Sequence, residues 1–286
     1  MKRLITILPA LAGVGILCSG CQEKASEETT EQTNPTEISN HLDLEVVLSV
    51  FGESENVEDF ERKLNDPERQ ISNLDLNEDG EVDYLRVVES AKEDTHLVSV
   101  QAVIGVDRYQ DVATFEVERQ AQVQGQPQGQ ARVQVVGDPY VYGPNYSIRP
   151  TYSVAPLILG WFLGSNYRSW RSPYYWDHYP SYYRPWRPYP YQDYRTRVVR
   201  YRNPGYTYQY YPTKWSKHST TLYKEVRRND YGSKHPGRSF AKRNKGVENR
   251  YQLDQKRGKT KVRVADNKVS APKPKPAAKP TPKPAT

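Results

Sequence analysis

Residues 84–119 run YLRVVESAKEDTHLVSVQAVIGVDRYQDVATFEVER, and this stretch decides the fold. Three β-branched, alternating runs, Tyr84–Ser90, Leu97–Ile104 and Val112–Arg119, are separated by short polar turns. That is the pattern of half-buried strands joined as hairpins. A fourth run follows at Ala131–Val136, after the insert QAQVQGQPQGQ at 120–130, which reads as a hairpin loop. Successive side chains of a strand point to opposite faces. The inward sets are therefore Val98, Val100, Ala102 and Ile104, then Ala113, Phe115 and Val117, then Ala131, Val133 and Val135. Ile71–Leu76 offers a fifth strand, hairpinned to Tyr84–Ser90 through Asn77-Glu78-Asp79-Gly80.

Two helices precede the strands. Asn40 is placed to cap the first, with Asp43 in its third position and Leu44, Val47, Leu48 and Phe51 on one face; Gly52 stops it. Asn56 opens the second, with Val57, Phe60 and Leu64 on one face and Asp66-Pro67 as its end. Two short amphipathic helices cannot bury their stripes on each other alone, so they need the sheet. The expected class is α+β, with two short helices packed on an antiparallel four- to five-stranded meander, followed by a largely disordered basic aromatic tail.

Charge divides the chain at residue 138. From residue 22 to 138, 9 Lys and Arg stand against 27 Asp and Glu, a net of −18. From 139 to 286 the count is 30 against 7, a net of +23. Beyond residue 138 lie 21 of the 23 Tyr and all five Trp, mixed with Pro and Arg. Segregation of this kind points to mutual attraction of the halves or to an anionic partner for the basic half. Hydrophobic residues are 36% of the chain, with Tyr prominent among them, so the aliphatic core is expected to be small.

The N-terminus carries Lys2 and Arg3, an apolar run from Leu4 to Leu17, and then Cys18-Ser19-Gly20-Cys21. This order reads as a secretory signal, and its closing cysteine resembles a bacterial lipoprotein signal in which Cys21 becomes the lipidated first residue. Cys18 stands where that motif usually has Leu. The expected layout is a signal peptide at 1–20, a tether at 21–40 and an acidic α+β domain at 41–138. A Tyr/Trp/Pro/Arg-rich segment at 139–213 and a basic disordered tail at 214–286 follow, the latter ending in APKPKPAAKPTPKPAT. The apolar run Val154–Gly164 is too short to span a bilayer.

Two constellations bear on function. In DLNEDGEVD (residues 75–83), Asp75, Asn77, Asp79, Glu81 and Asp83 match the first part of an EF-hand-type calcium loop, with Gly80 at the turn. Position 12 of that pattern is Arg86, so Glu89 or Asp94 would have to supply the last ligand; a metal-free hairpin is the alternative. Beyond it, Tyr-Arg-Ser-Trp-Arg-Ser at 167–172 recurs as Tyr-Arg-Pro-Trp-Arg-Pro at 183–188. Tyr167, Arg168, Trp170, Arg171, Tyr183, Arg184, Trp186 and Arg187 are the expected polymer-binding set, with aromatic faces for sugars and Arg forks for phosphate or sulfate. The alternative is a self-packing layer with no ligand. Export argues against nucleic acid as partner. The five His are scattered and no nucleophile elbow or phosphate loop occurs, so catalytic residues are not expected.

Asn73–Arg86 (NLDLNEDGEVDYLR), Gln110–Val117 (QDVATFEV) and Val135–Tyr142 (VVGDPYVY) together resemble a group of uncharacterised exported proteins and lipoproteins of Bacteroidota-type bacteria. Members of that group are similar in joining an acidic DxNxDG-type β domain to a Tyr/Trp/Pro/Arg-rich segment. The resemblance spans residues 41–210 and implies a lipid-anchored envelope protein with no activity to carry over; with Cys21 as the lipid site, the expected location is the outer membrane, facing the periplasm or the surface. The functional expectation is a non-enzymatic protein presenting its basic aromatic tail to anionic envelope glycan or protein, with calcium on the acidic domain. The alternatives are an assembly subunit whose tail binds another protein or its own acidic domain, and an envelope hydrolase.

Overall fold

Six antiparallel strands follow one another across one sheet in chain order: β1 (Leu85–Lys92), β2 (Thr95–Gly105), β3 (Arg108–Arg119), β4 (Ala131–Gly137), β5 (Ser147–Tyr152) and β6 (Tyr206–Tyr211). The computed structural model describes residues 37–120 and 131–258. The signal segment with Cys21, the tether as far as residue 36, the insert at 121–130 and the tail from 259 lie outside the described residues.

The inward sets of β2, β3 and β4 all join the main core. Helices α1 (Leu44–Gly52) and α2 (Val57–Leu64) cover that face. Phe51 stacks on Phe115 at 4.2 Å between centroids, and Phe60 meets the same ring edge-on at 5.4 Å. Asp43, rather than Asn40, caps α1; its Oδ1 accepts from the N–H of Glu45 at 2.9 Å and of Val46 at 3.3 Å. Asn40 instead closes a 3₁₀ turn at Ile38–Asn40. Asn56 caps α2, accepting from Asp59 N–H at 2.8 Å. Just past α2, the Asn65 amide accepts from Leu85 N–H and donates to Leu85 C=O, both at 2.8 Å, tying helix end to strand start.

Three expectations need correction. Ile71–Leu76 is not a strand. The place beside β1 is taken by residues 170–172 instead: Glu89 N–H donates to Trp170 C=O at 2.8 Å and Ser172 N–H to Val87 C=O at 2.9 Å. The sheet has six strands rather than four or five, because β5 and β6 come from beyond residue 138. And residues 139–258 do not form a loose tail. Besides two strands they supply α3 (Pro139–Tyr142), α4 (Leu157–Leu163), α5 (Tyr191–Val198), α6 (Lys217–Val226), α7 (Asp230–Lys234), α8 (Phe240–Arg243) and α9 (Arg250–Lys256). The run Val154–Gly164 becomes α4, whose Ile158, Leu159 and Phe162 enter the main core. No helix among the described residues is long and apolar enough to cross a membrane.

The second face of the sheet explains why this segment stays. Ser99, Gln101, Glu116 and Gln134 alternate with the inward set and lie on the opposite face, yet all are buried. The stretch from Lys214 through α6 lies over them. Gln134 Nε2 donates to Lys214 C=O at 3.0 Å, Ser216 N–H donates to Glu116 Oε1 at 2.9 Å, and Gln101 Nε2 donates to Val226 C=O at 3.1 Å. Buried polar groups are tolerated when they find such partners. Gly52 shows the same closeness on the other side: a Cβ there would collide with the Tyr206 hydroxyl.

Candidate functional site

The acidic loop is a turn that satisfies itself. Asp75 Oδ2 accepts from Gly80 N–H at 3.0 Å, Asp79 Oδ1 from Glu81 N–H at 2.9 Å, and Asp83 Oδ2 from Leu76 N–H at 2.7 Å. Asn77 Nδ2 donates to Asp79 Oδ2 at 2.7 Å. Gly80 has φ +86°, a conformation that favours glycine. Burial pushes the carboxyls of Asp75 and Asp83 above their usual range, Asp83 strongly, and the charge of Asp79 adds to both. Asp75 Oδ1 is buried with no hydrogen-bond partner.

The expected completing ligands are engaged elsewhere. Glu89 accepts from the Tyr167 hydroxyl at 2.8 Å and Trp170 N–H at 3.0 Å, and lies 3.0 Å from His96 Nδ1. Asp94 pairs with Arg119 at 3.5 Å. Arg86 turns to Gln101 Oε1 at 2.8 Å and stacks over the Tyr109 ring. Among the described residues no group of three or more His, Cys, Asp or Glu side chains is set to hold a metal ion. The residues that would hold calcium are thus Asp75, through its unpartnered oxygen, with Asn77, Asp79, Glu81 and Asp83 around it. Calcium takes six to eight oxygens, and three of the oxygens here now accept from backbone N–H groups of the loop itself.

The two Tyr-Arg-x-Trp-Arg repeats are brought together as straps over the acidic stretch, with their aromatic and basic members facing opposite ways. In the first, Trp170 Nε1–H donates to Glu61 Oε2 at 2.7 Å and the Ser172 hydroxyl to Glu61 Oε1 at 2.5 Å. In the second, the Tyr183 hydroxyl donates to Val82 C=O at 3.0 Å and Trp186 Nε1–H to Ser72 C=O at 3.2 Å. Tyr183 and Trp186 are 6% and 8% exposed, and Tyr167 and Trp170 are half-buried. The aromatic faces expected to meet sugars are spent on the protein's own core. Arg168, Arg171, Arg184 and Arg187 are all exposed. Arg168 and Arg184 donate to backbone carbonyls of their own strap at 2.8 Å.

Buried acids are what sequence reasoning passed over. Glu61 is 1% exposed and receives donors from Tyr84, Trp170 and Ser172. Burial outweighs those donors and pushes its carboxyl up to about 7. The signal was present: Glu61 stands four residues after Val57 and three before Leu64, on the apolar stripe of α2. Asp111 and Asp138 are also buried, each with one oxygen lacking a hydrogen-bond partner, and burial raises them to about 8 and about 6. None of these three lines the cavities of about 100, 160 and 170 Å³ found among the described residues. Compared with known proteins, the chain matches no family model, no curated protein and no solved structure.

Proposed function

We propose that this chain is a non-enzymatic envelope protein, anchored by lipid on Cys21, that displays arginines to anionic envelope polymers. One observation carries the reading: both repeats turn their aromatic residues into the fold and their arginines outward. Arg168, Arg171, Arg184 and Arg187 form no ion pair with an acidic side chain within the described residues. The aromatic members position this set rather than stack on the ligand. Guanidinium forks suit phosphate, sulfate and carboxylate. The resemblance to exported Bacteroidota-type lipoproteins supports the location, and calcium on Asp75, Asn77, Asp79, Glu81 and Asp83 would add stability to the same domain. A flat melting temperature in millimolar calcium would remove the metal from this proposal.

The test is binding of purified lipopolysaccharide by the full chain against a variant with all four arginines changed to Gln. Binding should weaken about tenfold or more in the variant and lose much of its salt dependence, since exposed charges are screened beyond about 8 Å at physiological ionic strength. Equal binding by both chains would sink the arginine display. A second reading has its own support: the basic segment pairs with its own acidic domain, Arg202 with Asp43 at 2.5 Å and Glu45 at 3.0 Å, and with the residue range just before it, Arg243 with Glu37 at 3.0 Å. On that reading the basic half is a structural partner of the acidic half, and the surface left over meets another protein.

A further inference from the structure

A cavity of about 160 Å³ opens beside the acidic loop, with Tyr84, Trp176, Tyr179 and Tyr183 in its walls. The three tyrosine rings pack on one another, with centroids 5.0 Å apart for Tyr84 and Tyr183, 5.2 Å for Tyr179 and Tyr183, and 5.3 Å for Tyr84 and Tyr179. Four carboxylates share the lining: Asp79, Glu81, Asp83 and Asp177. No Lys, Arg or His is among the lining residues. Among the described residues the acidic loop makes one ion pair, Glu78 with Arg238 at 2.5 Å, and it belongs to the neighbouring cavity.

Asp83 makes this more than an acidic rim. It is 6% exposed, and its Oδ2 is met by one backbone N–H, that of Leu76 at 2.7 Å. Buried carboxylates ordinarily face a cationic partner, because an amide alone does not offset the loss of hydration. None of the four carboxylates has such a partner among the described residues. The cavity therefore combines carboxyl acceptors that face no cationic side chain among the described residues with aromatic walls.

We propose that this cavity takes a primary alkylammonium group. Aromatic faces attract organic cations and accept an alkyl body, which a hydrated metal ion does not offer them. The carboxylates add acceptors for ammonium N–H donors, a role a quaternary ammonium could not use. A cavity of about 160 Å³ is of the size that holds a small organic group, room for an aminoalkyl end. Tyr183 of the second strap forms part of this wall, but the chemistry is opposite to that of the arginine display: the cavity binds cations where the straps bind anions.

The probe is cadaverine, titrated calorimetrically into the full chain in the presence of a chelator, so that calcium does not compete for the loop. Saturable one-to-one binding is expected, with a rise in melting temperature. Asp177→Asn removes one charge at an exposed position whose φ of +61° asparagine tolerates. It should weaken binding about fivefold with the melting temperature of the free chain unchanged, and Trp176→Ala should weaken it by a similar factor. 1-Pentanol, the same body without charge, should not compete. Binding that fails to saturate, that is equal in the wild type and Asp177→Asn, or that 1-pentanol displaces would overturn the proposal. The tripeptide Gly-Lys-Gly separates the two sources of this chemistry: tighter binding than cadaverine assigns the cavity to a lysine side chain, weaker binding to a free amine.

Discussion

The acidic stretch 41–138 and the basic stretch 139–258 bury different materials in one sheet. The first uses aliphatic and phenyl side chains, as in Val98, Val100, Phe115 and Phe51. The second adds tyrosine to its aliphatic and phenyl side chains. Tyr142 reaches Leu42 C=O at 2.7 Å, Tyr194 reaches Ile71 C=O at 2.8 Å, and Tyr183 reaches Val82 C=O at 3.0 Å. Each ring fills space while its hydroxyl satisfies a backbone carbonyl of the other stretch. A core of this kind is assembled between the halves and not within either. The opposite net charges are partly neutralised at the same seam, where Arg202 and Arg243 meet Asp43, Glu45 and Glu37.

The strongest way to break this comparison is to cut the chain after Asp138. Truncation uncovers the outer edge of β4, the edge of β1 and the polar face under α6 at once. It also strips Tyr142, Ile148, Ile158, Leu159 and Phe162 from the main core, and each buried side chain of this kind contributes about 1.5–3 kcal/mol, whereas folded proteins hold only about 5–15 kcal/mol in reserve. Residues 37–138 alone should show no cooperative thermal transition and should bind a hydrophobic dye. A cooperative melt within a few degrees of the full chain would mean that the acidic stretch is a self-sufficient domain after all.

What was legible followed from periodicity. The strands β1 to β4, the inward residues of β2 to β4 and both helices stand where alternation and 3.6-residue spacing put them. The capping residue of α1 differed because Asp43 sits directly before Leu44, whereas Asn40 is held in its own 3₁₀ turn. β5 and β6 escaped because SIRPTY and YTYQYY bury few aliphatics and interrupt their alternation with Pro, Gln and paired tyrosines. The straps escaped for a related reason. An aromatic–arginine alternation predicts a ligand platform as readily as an internal anchor, and only the position of Glu61 on the stripe of α2 distinguished the two. The acidic loop's turn was legible; that Glu89 and Asp94 serve other partners was a tertiary fact.

A smaller effect sharpens the role of the straps. Trp186→Ala should cost about 3–5 kcal/mol, the range for truncating a buried aromatic, and leave Ser72 C=O without its donor. Trp170→Phe, which removes the N–H facing Glu61 and preserves most of the ring, should cost about 1–3 kcal/mol. Urea midpoints give both values. In chains still folded at low temperature, polymer binding through the arginines should persist. Loss of binding in folded Trp186→Ala, with stability unchanged, would return that ring to the ligand and reverse the comparison between inward aromatics and outward arginines.

A last effect concerns pH and the carboxyls enclosed when the second half covers the first. Burial, the largest cause in each case, raises Glu61 to about 7, Asp111 to about 8 and Asp138 to about 6; for Asp111 the neighbouring Asp138 charge adds to it. A carboxyl whose pKa is higher folded than unfolded holds its proton more tightly in the fold. Its contribution is complete below the unfolded value near 4 and is lost as pH rises through the folded value. Glu37 and Asp59 oppose this at the acid end. Burial alone would raise them, but Arg243 beside Glu37 and Lys63 beside Asp59 hold both below the usual range, so their contribution is lost as pH falls below about 4. Stability should therefore peak near pH 5 and decline toward pH 8. With 1.36 kcal/mol per pKa unit, Glu61 alone accounts for on the order of 3 kcal/mol between its ordinary value of 4.5 and about 7. Urea midpoints measured from pH 4 to 9 check the shape, and Asp111→Asn, which keeps an acceptor for Gln101 and removes the charge, should flatten the alkaline limb. A midpoint that climbs steadily from pH 5 to 8 would mean that the donors from Tyr84, Trp170 and Ser172 keep Glu61 ionised within the fold. The strap would then be held by a charge rather than by a proton.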